Sequence, residues 1–309
     1  MRTRDGIELV VLAAVWGASF LFMRVAAPEL GPVALIWLRV GIAAACLLPA
    51  AALRSRGALR GRLLPVAVVG VINSAVPFCL LAYATLSVTA GLASILNATS
   101  PLWGAVVAHF WLKDRLTRSR ALGLAVGFGG VVLLVWGRAS FRSGGAGLAV
   151  AAALAATLSY GVAASYTKRK LAGVDPLALA AGSQVAAAVV LAPAALLLWP
   201  AHQVSPRAWG AVLGLGVACT AFAYVLYFRL IAHVGPARAI AVTFLIPPFA
   251  LAWGGIVLRE PLTARTLGAA CVILAGTALA TGLVKLPARA LRAAARPPGN
   301  RADVSADAP

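Results

Sequence analysis

The chain has 309 residues, of which 62% are hydrophobic and only 11% charged, with a formal net charge of +19. Soluble domains carry roughly 25% charged and about 45–50% apolar residues, so this composition excludes a soluble enzyme, a disordered chain and a secreted disulfide scaffold. A mean hydropathy of +0.94 agrees, and the apolar content is enough for about ten membrane spans of ~20 residues each.

Ten apolar stretches follow along the chain, at about Ile7–Ala26, Pro32–Leu53, Leu63–Ala84, Gly91–Leu112, Ala121–Gly137, Ala146–Tyr166, Leu177–Trp199, Ala208–Ile231, Ala237–Val257 and Leu267–Val284. Spans this apolar must be helical, because lipid offers no partner for unpaired backbone N–H and C=O groups. The expected fold is therefore an all-α polytopic membrane protein. The first stretch has a basic start and Ala26-Ala27 at its end, as a secretory signal does. Glu8 at its beginning and the continuing spans favour an uncleaved first helix. The segment from Lys285 to Pro309 reads as a basic cytoplasmic tail, disordered beyond Arg296, whose first part lies on anionic lipid.

Lys and Arg set the orientation. With the N-terminus cytoplasmic, twenty basic residues fall in inside segments and six outside, and Arg39 is left within the second span. Such a bias fits an even number of spans in the cytoplasmic membrane, with both termini cytoplasmic. It also accounts for the positive charge without nucleic acid, for which no binding module appears. Cys46, Cys79, Cys219 and Cys271 lie singly in apolar stretches and read as inert thiols. His109, His202 and His233 show no metal-ligand spacing, so no metal and no cofactor are expected.

The chain also matches itself at offsets of 144 to 146. Trp16-Gly17 meets Tyr160-Gly161, Arg24 meets Lys168, and Pro32-x-Ala34-Leu35 meets Pro176-x-Ala178-Leu179. Pro101 meets Pro247, Asp114 meets Glu260, Leu116-Thr117 meets Leu262-Thr263, and Gly130 meets Gly276. Two halves of five spans result, over 7–137 and 146–284. Because five is odd, the second half enters the membrane inverted, an arrangement that underlies alternating access in many carriers.

Trp16-Gly17-Ala18-Ser19-Phe20, Arg39, Ala93-x7-Pro101 and the signature Leu112-Lys113-Asp114-Arg115-Leu116-Thr117, recurring as Leu258-Arg259-Glu260-Pro261-Leu262-Thr263, resemble the two EamA domains of the drug/metabolite transporter superfamily. The resemblance covers about residues 7–284 and departs from the family pattern in having Asp114 where Glu is usual. It implies a carrier of small molecules.

Polar groups inside spans cost free energy unless paired or wetted, so each is a site candidate. Arg39 has two readings: a clamp for a substrate carboxylate, or a structural or gating cation. The resemblance, with a basic residue here across many substrates, favours the second. Asn73 and Ser74 precede Pro77, Asn97 precedes Pro101, and Thr243 precedes Pro247; a proline frees a carbonyl and kinks its helix. Trp16 and Tyr160, well inside their spans and repeat-related, are expected at a central cavity, with Ser19, Tyr83, Tyr224 and Gln184 as further candidates. Asn97 divides evenly between site and packing, and packing leads for Thr243. Gly123-x-x-x-Gly127 and Gly210-x-x-x-Gly214 read as close helix packing. Asp114 and Glu260 head the loops after spans four and nine, where a charged pair or a helix cap is expected.

No nucleotide-hydrolysis motif occurs, and no carboxylate lies deep in a span, which argues against a proton-coupled pump for cationic drugs. The reading is a secondary transporter, not an enzyme, moving small metabolites such as amino acids or related zwitterions in the export direction. A multidrug efflux carrier is the alternative, and a channel or membrane-embedded enzyme ranks behind both. The partners expected are a small-molecule substrate and the lipid bilayer, for a monomer or homodimer.

Overall fold

The computed structural model describes residues 3–55, 57–136, 145–235, 239 and 241–284. The tail 285–309 and the basic residues Arg2, Arg56, Arg138, Arg142 and Arg238 lie outside the described residues.

Regular structure among the described residues is entirely helical. In chain order the segments are α1 (Thr3–Arg54), α2 (Leu63–Ser87), α3 (Ala90–Trp111), α4 (Arg118–Val135), α5 (Ala146–Lys170), α6 (Pro176–Leu197), α7 (Pro206–Val234), α8 (Val242–Leu258) and α9 (Ala264–Thr281). All but α8 are long and apolar enough to cross a membrane, and α8 is apolar but shorter. Leu197, Phe110, Leu53 and Ile256 are each at least three-quarters exposed, the outward apolar belt expected against lipid.

The 52 residues of α1 do not run straight. Gly31 has φ 72° and ψ 156°, a conformation open to glycine because it lacks Cβ. Arg39 Nη1 lies 4.0 Å from Met23 Sδ, whereas sixteen residues of continuous helix span about 24 Å. The segment therefore doubles back at Gly31 into two antiparallel arms.

The ends of the helices meet in two sets. In one, Glu8 pairs with Arg229 at 2.6 Å, Ser55 Oγ donates to Asp175 at 2.7 Å, Arg62 to the Lys170 carbonyl at 3.1 Å, and Lys168 approaches Asp114 at 3.5 Å. In the other, Arg24 meets Glu260 at 3.8 Å, Ser205 Oγ donates to Glu29 at 2.8 Å, and Arg265 donates to the Leu133 carbonyl at 3.0 Å. Among the described residues no hydrogen bond or ion pair joins a member of one set to a member of the other.

The sequence repeat has local structural counterparts. Lys113 (φ 56°) and Arg259 (φ 55°) are the non-glycine residues with positive φ among the described residues. Each ends a helix, and the following carboxylate residue donates its N–H six residues back: Asp114 to Ala108 at 3.2 Å, Glu260 to Gly254 at 3.1 Å. Such six-to-one bonds satisfy carbonyls that a helix end leaves unpaired. Thr117 and Thr263 then cap the next helices by accepting from Arg120 N and Thr266 N.

Small residues let the helices approach closely. A Cβ on Gly17 would lie 2.8 Å from Phe249 Cβ, and one on Gly161 would lie 2.8 Å from the Trp103 carbonyl carbon. These are repeat-equivalent contacts with the halves exchanged. A Cβ on Gly276 would lie within 2.5 Å of Gly127 Cα, so α4 and α9 touch backbone to backbone, as the Gly123-x-x-x-Gly127 stripe suggests. The second stripe is different: Gly214 abuts the Phe22 ring, whereas a Cβ on Gly210 meets nothing within 4 Å.

Candidate functional site

Three helix interruptions surround one point of the fold. In α2, residues Val71–Ala75 adopt a π-helical turn, and in α7 residues Gly214–Phe222 do so at the related place. π-turns widen the helix and release carbonyls from the regular ladder. The Ile72 carbonyl accepts from Ser159 Oγ at 2.6 Å, and the Leu215 carbonyl from Thr220 Oγ1 at 2.8 Å. In α3 the helix breaks at Ala98–Thr99. Pro101 has no N–H for the Asn97 carbonyl, and Ser100 Oγ supplies the bond instead, at 2.6 Å. Pro247 stands inside α8, which runs unbroken from Val242 to Leu258.

Between these interruptions lies a cavity of about 250 Å³. Trp16, Ser19, Arg39, Asn73, Asn97, Tyr160, Tyr224 and Thr243 line it, drawn from both halves of the chain. Phe78, Met23, Ser100 and Cys219 share the wall without having been singled out by the sequence. Their signal was weak: Phe78 follows Pro77 directly, but nothing in an apolar run distinguishes it. A wider space of about 650 Å³ continues from Trp16, Asn73, Ser100, Tyr160 and Thr243 to Asp114 and Lys168.

Three expected cavity residues stand elsewhere. Tyr83 is 37% exposed on the outer side of α2, because it is on the face of that helix opposite the core residues Leu81, Ala82 and Ala84. Ser74 and Gln184 are fully buried and bond to each other, Nε2 to Oγ at 2.9 Å, tying α6 to the π-turn of α2. They brace the wall instead of lining it.

Arg39 is the charged group of the cavity. It is 5% exposed; its Nε donates to Thr220 Oγ1 at 2.9 Å, and its Cζ sits 3.8 Å above the Phe78 ring centre. A cation over a desolvated aromatic face gains about 2 kcal/mol or more. Among the described residues no carboxylate lines the cavity. Asn97 Oδ1 is buried with no hydrogen-bond partner, an acceptor left open on the same wall.

The carboxylates lie at the helix ends. Glu260 accepts from Ala90 N at 3.0 Å, so it caps α3 and pairs with Arg24 at once. Asp114 pairs with Lys168 in the open, their side chains 49% and 66% exposed. Glu8 is held by Arg229 and Arg4, away from the cavity. Among the described residues no cluster of three metal-ligating side chains occurs.

Comparisons with known proteins agree with one another. The EamA-like transporter family matches residues 5–136 and again 147–282. An uncharacterized transporter of Archaeoglobus fulgidus is 24% identical over 87% of this chain and 96% of its own length. A probable terminal-alkyne amino-acid exporter of Streptantibioticus cattleyicolor is 28% identical over 86% of this chain and 91% of its own. A crystal structure with 20% identity superposes with a TM-score of 0.65 over 92% of this chain and 99% of that one, which shows a shared fold. The chain is thus a multi-pass helical membrane protein and not an enzyme, and it belongs, through two copies of the domain, to the EamA-like transporter family.

Proposed function

We propose that the protein is a secondary transporter of small amino-acid-like zwitterions, crossing the cytoplasmic membrane ten times as two inverted five-helix halves, both termini cytoplasmic. Counting the two arms of α1 separately and including α8 gives ten crossings, and the two sets of helix-end contacts then fall on opposite faces. The face holding Arg62, Lys168 and Lys170 is the basic one in the sequence, hence cytoplasmic. The exchanged contacts of Gly17 and Gly161 fit a two-fold axis in the membrane plane.

The observation that carries the substrate reading is Arg39, a buried guanidinium on a cavity wall without a carboxylate to neutralise it. Buried charge is costly unless paired, and a substrate carboxylate supplies the partner through a paired hydrogen bond. Asn97 Oδ1 offers an acceptor for an ammonium group, and Trp16, Phe78 and Tyr160 give apolar and π faces for a side chain. The volume lies just below the roughly 300–1,000 Å³ of drug-sized pockets, which favours a small metabolite over a bulky drug. The name of the Streptantibioticus relative points to the same substrate class. With the wider space continuing to the cytoplasmic face, substrate enters from inside and leaves outward, as export requires.

Reconstitution tests this. Labelled neutral amino acids should exchange across proteoliposomes saturably and without nucleotide, and Arg39→Gln should abolish the exchange. Saturable transport of lipophilic cations that survives Arg39→Gln would overturn the reading in favour of multidrug efflux.

A further inference from the structure

The wider space beyond the cavity has a charged mouth. Among the described residues Asp114, Arg120 and Lys168 are its charged lining groups, two cations to one carboxylate. Lys168 is held by Asp114 Oδ2 at 3.5 Å, and no described residue bonds Asp114 Oδ1. Arg120 stands apart from this pair. Its backbone N–H donates to the Thr117 cap, but among the described residues no hydrogen bond or ion pair engages its guanidinium. That group lies against the end of α9, where a Cβ on Gly282 would be 3.8 Å from both Nε and Nη2. Deeper in, the walls shared with the cavity, at Trp16, Asn73, Ser100, Tyr160 and Thr243, are uncharged, and the next cation is Arg39.

The local fold does not require a cation at this position. Arg120 is in the first turn of α4, where positive charge opposes the helix dipole. Its repeat counterpart is Thr266, and the cap forms there as well: Thr263 Oγ1 accepts from Thr266 N at 3.2 Å, as Thr117 Oγ1 does from Arg120 N at 3.3 Å. Lys113, Arg115 and Arg118, all exposed and none lining the space, already supply positive charge to this face. We propose that the mouth is a second, shallower substrate site, in which Arg120 receives the carboxylate of the incoming zwitterion and Asp114 Oδ1 its ammonium group, before the molecule passes to Arg39. The inference rests on the zwitterion and cytoplasmic-entry readings above. Ion pairs in so open a setting are weak, so the site holds substrate loosely; at the buried Arg39 the lower dielectric strengthens the same pairing. A zwitterion has no net charge, so groups of both signs orient it on entry. The outer face carries Thr266 at the counterpart position, so at this position the receiving cation stands on the side from which export begins.

Charge-selective thiol labelling reads the mouth without any substrate. In the full chain with its native cysteines replaced by Ala, Ala164→Cys carries the reporter, exposed on the wall one helical turn from Lys168. Inside-out membrane vesicles present the cytoplasmic face to a sulfonate-bearing or a trimethylammonium-bearing methanethiosulfonate, and the ratio of the two rates is referred to that of a free thiol in solution. The sulfonate should be favoured severalfold. Arg120→Gln should remove most of that preference, Arg120→Lys should keep it, and Arg118→Gln should leave it unchanged. In proteoliposome exchange, Arg120→Gln should raise KM at the cytoplasmic face severalfold while the maximal rate falls less. An unchanged ratio in Arg120→Gln, an equal fall in Arg118→Gln, or an unchanged KM would overturn the inference. If no amino acid were exchanged while the ratio fell as expected, the zwitterion reading would fail and Arg120 would stand as a receiver of small anions.

Discussion

Arg39 and Thr220, 181 residues apart, are joined by a 2.9 Å hydrogen bond from Nε to Oγ1. Thr220 donates in turn to the Leu215 carbonyl, which is available because residues 214–222 form a π-turn. One backbone irregularity in the second half therefore fixes the aim of the cavity's cation in the first.

Thr220→Val keeps the shape and removes the acceptor. A hydrogen bond to a charged group is worth about 1.5–3 kcal/mol, so KM for exchanged amino acid should rise roughly tenfold or more, with the maximal rate less affected. Thr220→Ser should recover most of the loss. Proteoliposome exchange measures both, and an unchanged KM in Thr220→Val would detach this residue from the site.

Gly31 should tolerate no side chain although space surrounds it. A Cβ there meets nothing within 4 Å, so the cost of Gly31→Ala is conformational, of order 1–3 kcal/mol for a backbone in this region. Gly41→Ala is the control: it is equally unobstructed, lies in the helical part of the second arm, and should stabilise by up to about 1 kcal/mol. Thermal unfolding in detergent should move in opposite directions for the two.

The α4–α9 contact should fail on steric grounds. Gly276→Leu forces atoms against Gly127 N, Gly127 Cα and the Gly123 carbonyl, and overpacking costs typically 1–3 kcal/mol. Gly268→Ala, on the same helix and open, should be neutral to mildly stabilising. Melting temperature separates them.

Much of this architecture was legible in the sequence. Apolar runs gave the helices, and the repeat anticipated the matched turns at Lys113 and Arg259 and the matched packing of Gly17 and Gly161. Arg39, Trp16, Tyr160 and Asn97 stood out because polar or large aromatic groups are conspicuous in so apolar a chain. Facing was harder to read. When nearly every position is apolar, periodicity does not say which side of a helix looks inward, so Tyr83 was expected in the cavity but faces out. The Ser74–Gln184 bond is a long-range pairing with no local mark. The π-turns were equally hidden, since a π-turn at Val71–Ala75 needs no residue that an ordinary helix would refuse.

Asp175 gives a pH dependence outside the membrane-spanning segments. The hydrogen bond from Ser55 foremost, and the N–H groups of Ala178 and Leu177, hold its carboxyl below its ordinary value of 3.8. A depressed folded-state pKa means the stabilisation is complete above about 3.8 and is lost as pH falls through the folded value. Asp175→Ala should lower the melting temperature at neutral pH, the loss of an N-cap costing about 0.5–2 kcal/mol. The gap to the parent should narrow as acid is added. A gap that stays constant down to about pH 2 would show that the charge contributes nothing.

The central claim is that Arg39 receives the carboxylate of a zwitterion. Thermal stabilisation of the purified protein by neutral amino acids, each compared with its methyl ester and its N-acetyl form, tests it most directly. The account predicts that at least one free amino acid raises the melting temperature, that neither capped form matches it, and that Arg39→Gln removes the effect. Stabilisation by the ester equal to that by the free acid, persistence of the effect in Arg39→Gln, or no response to any amino acid would contradict it.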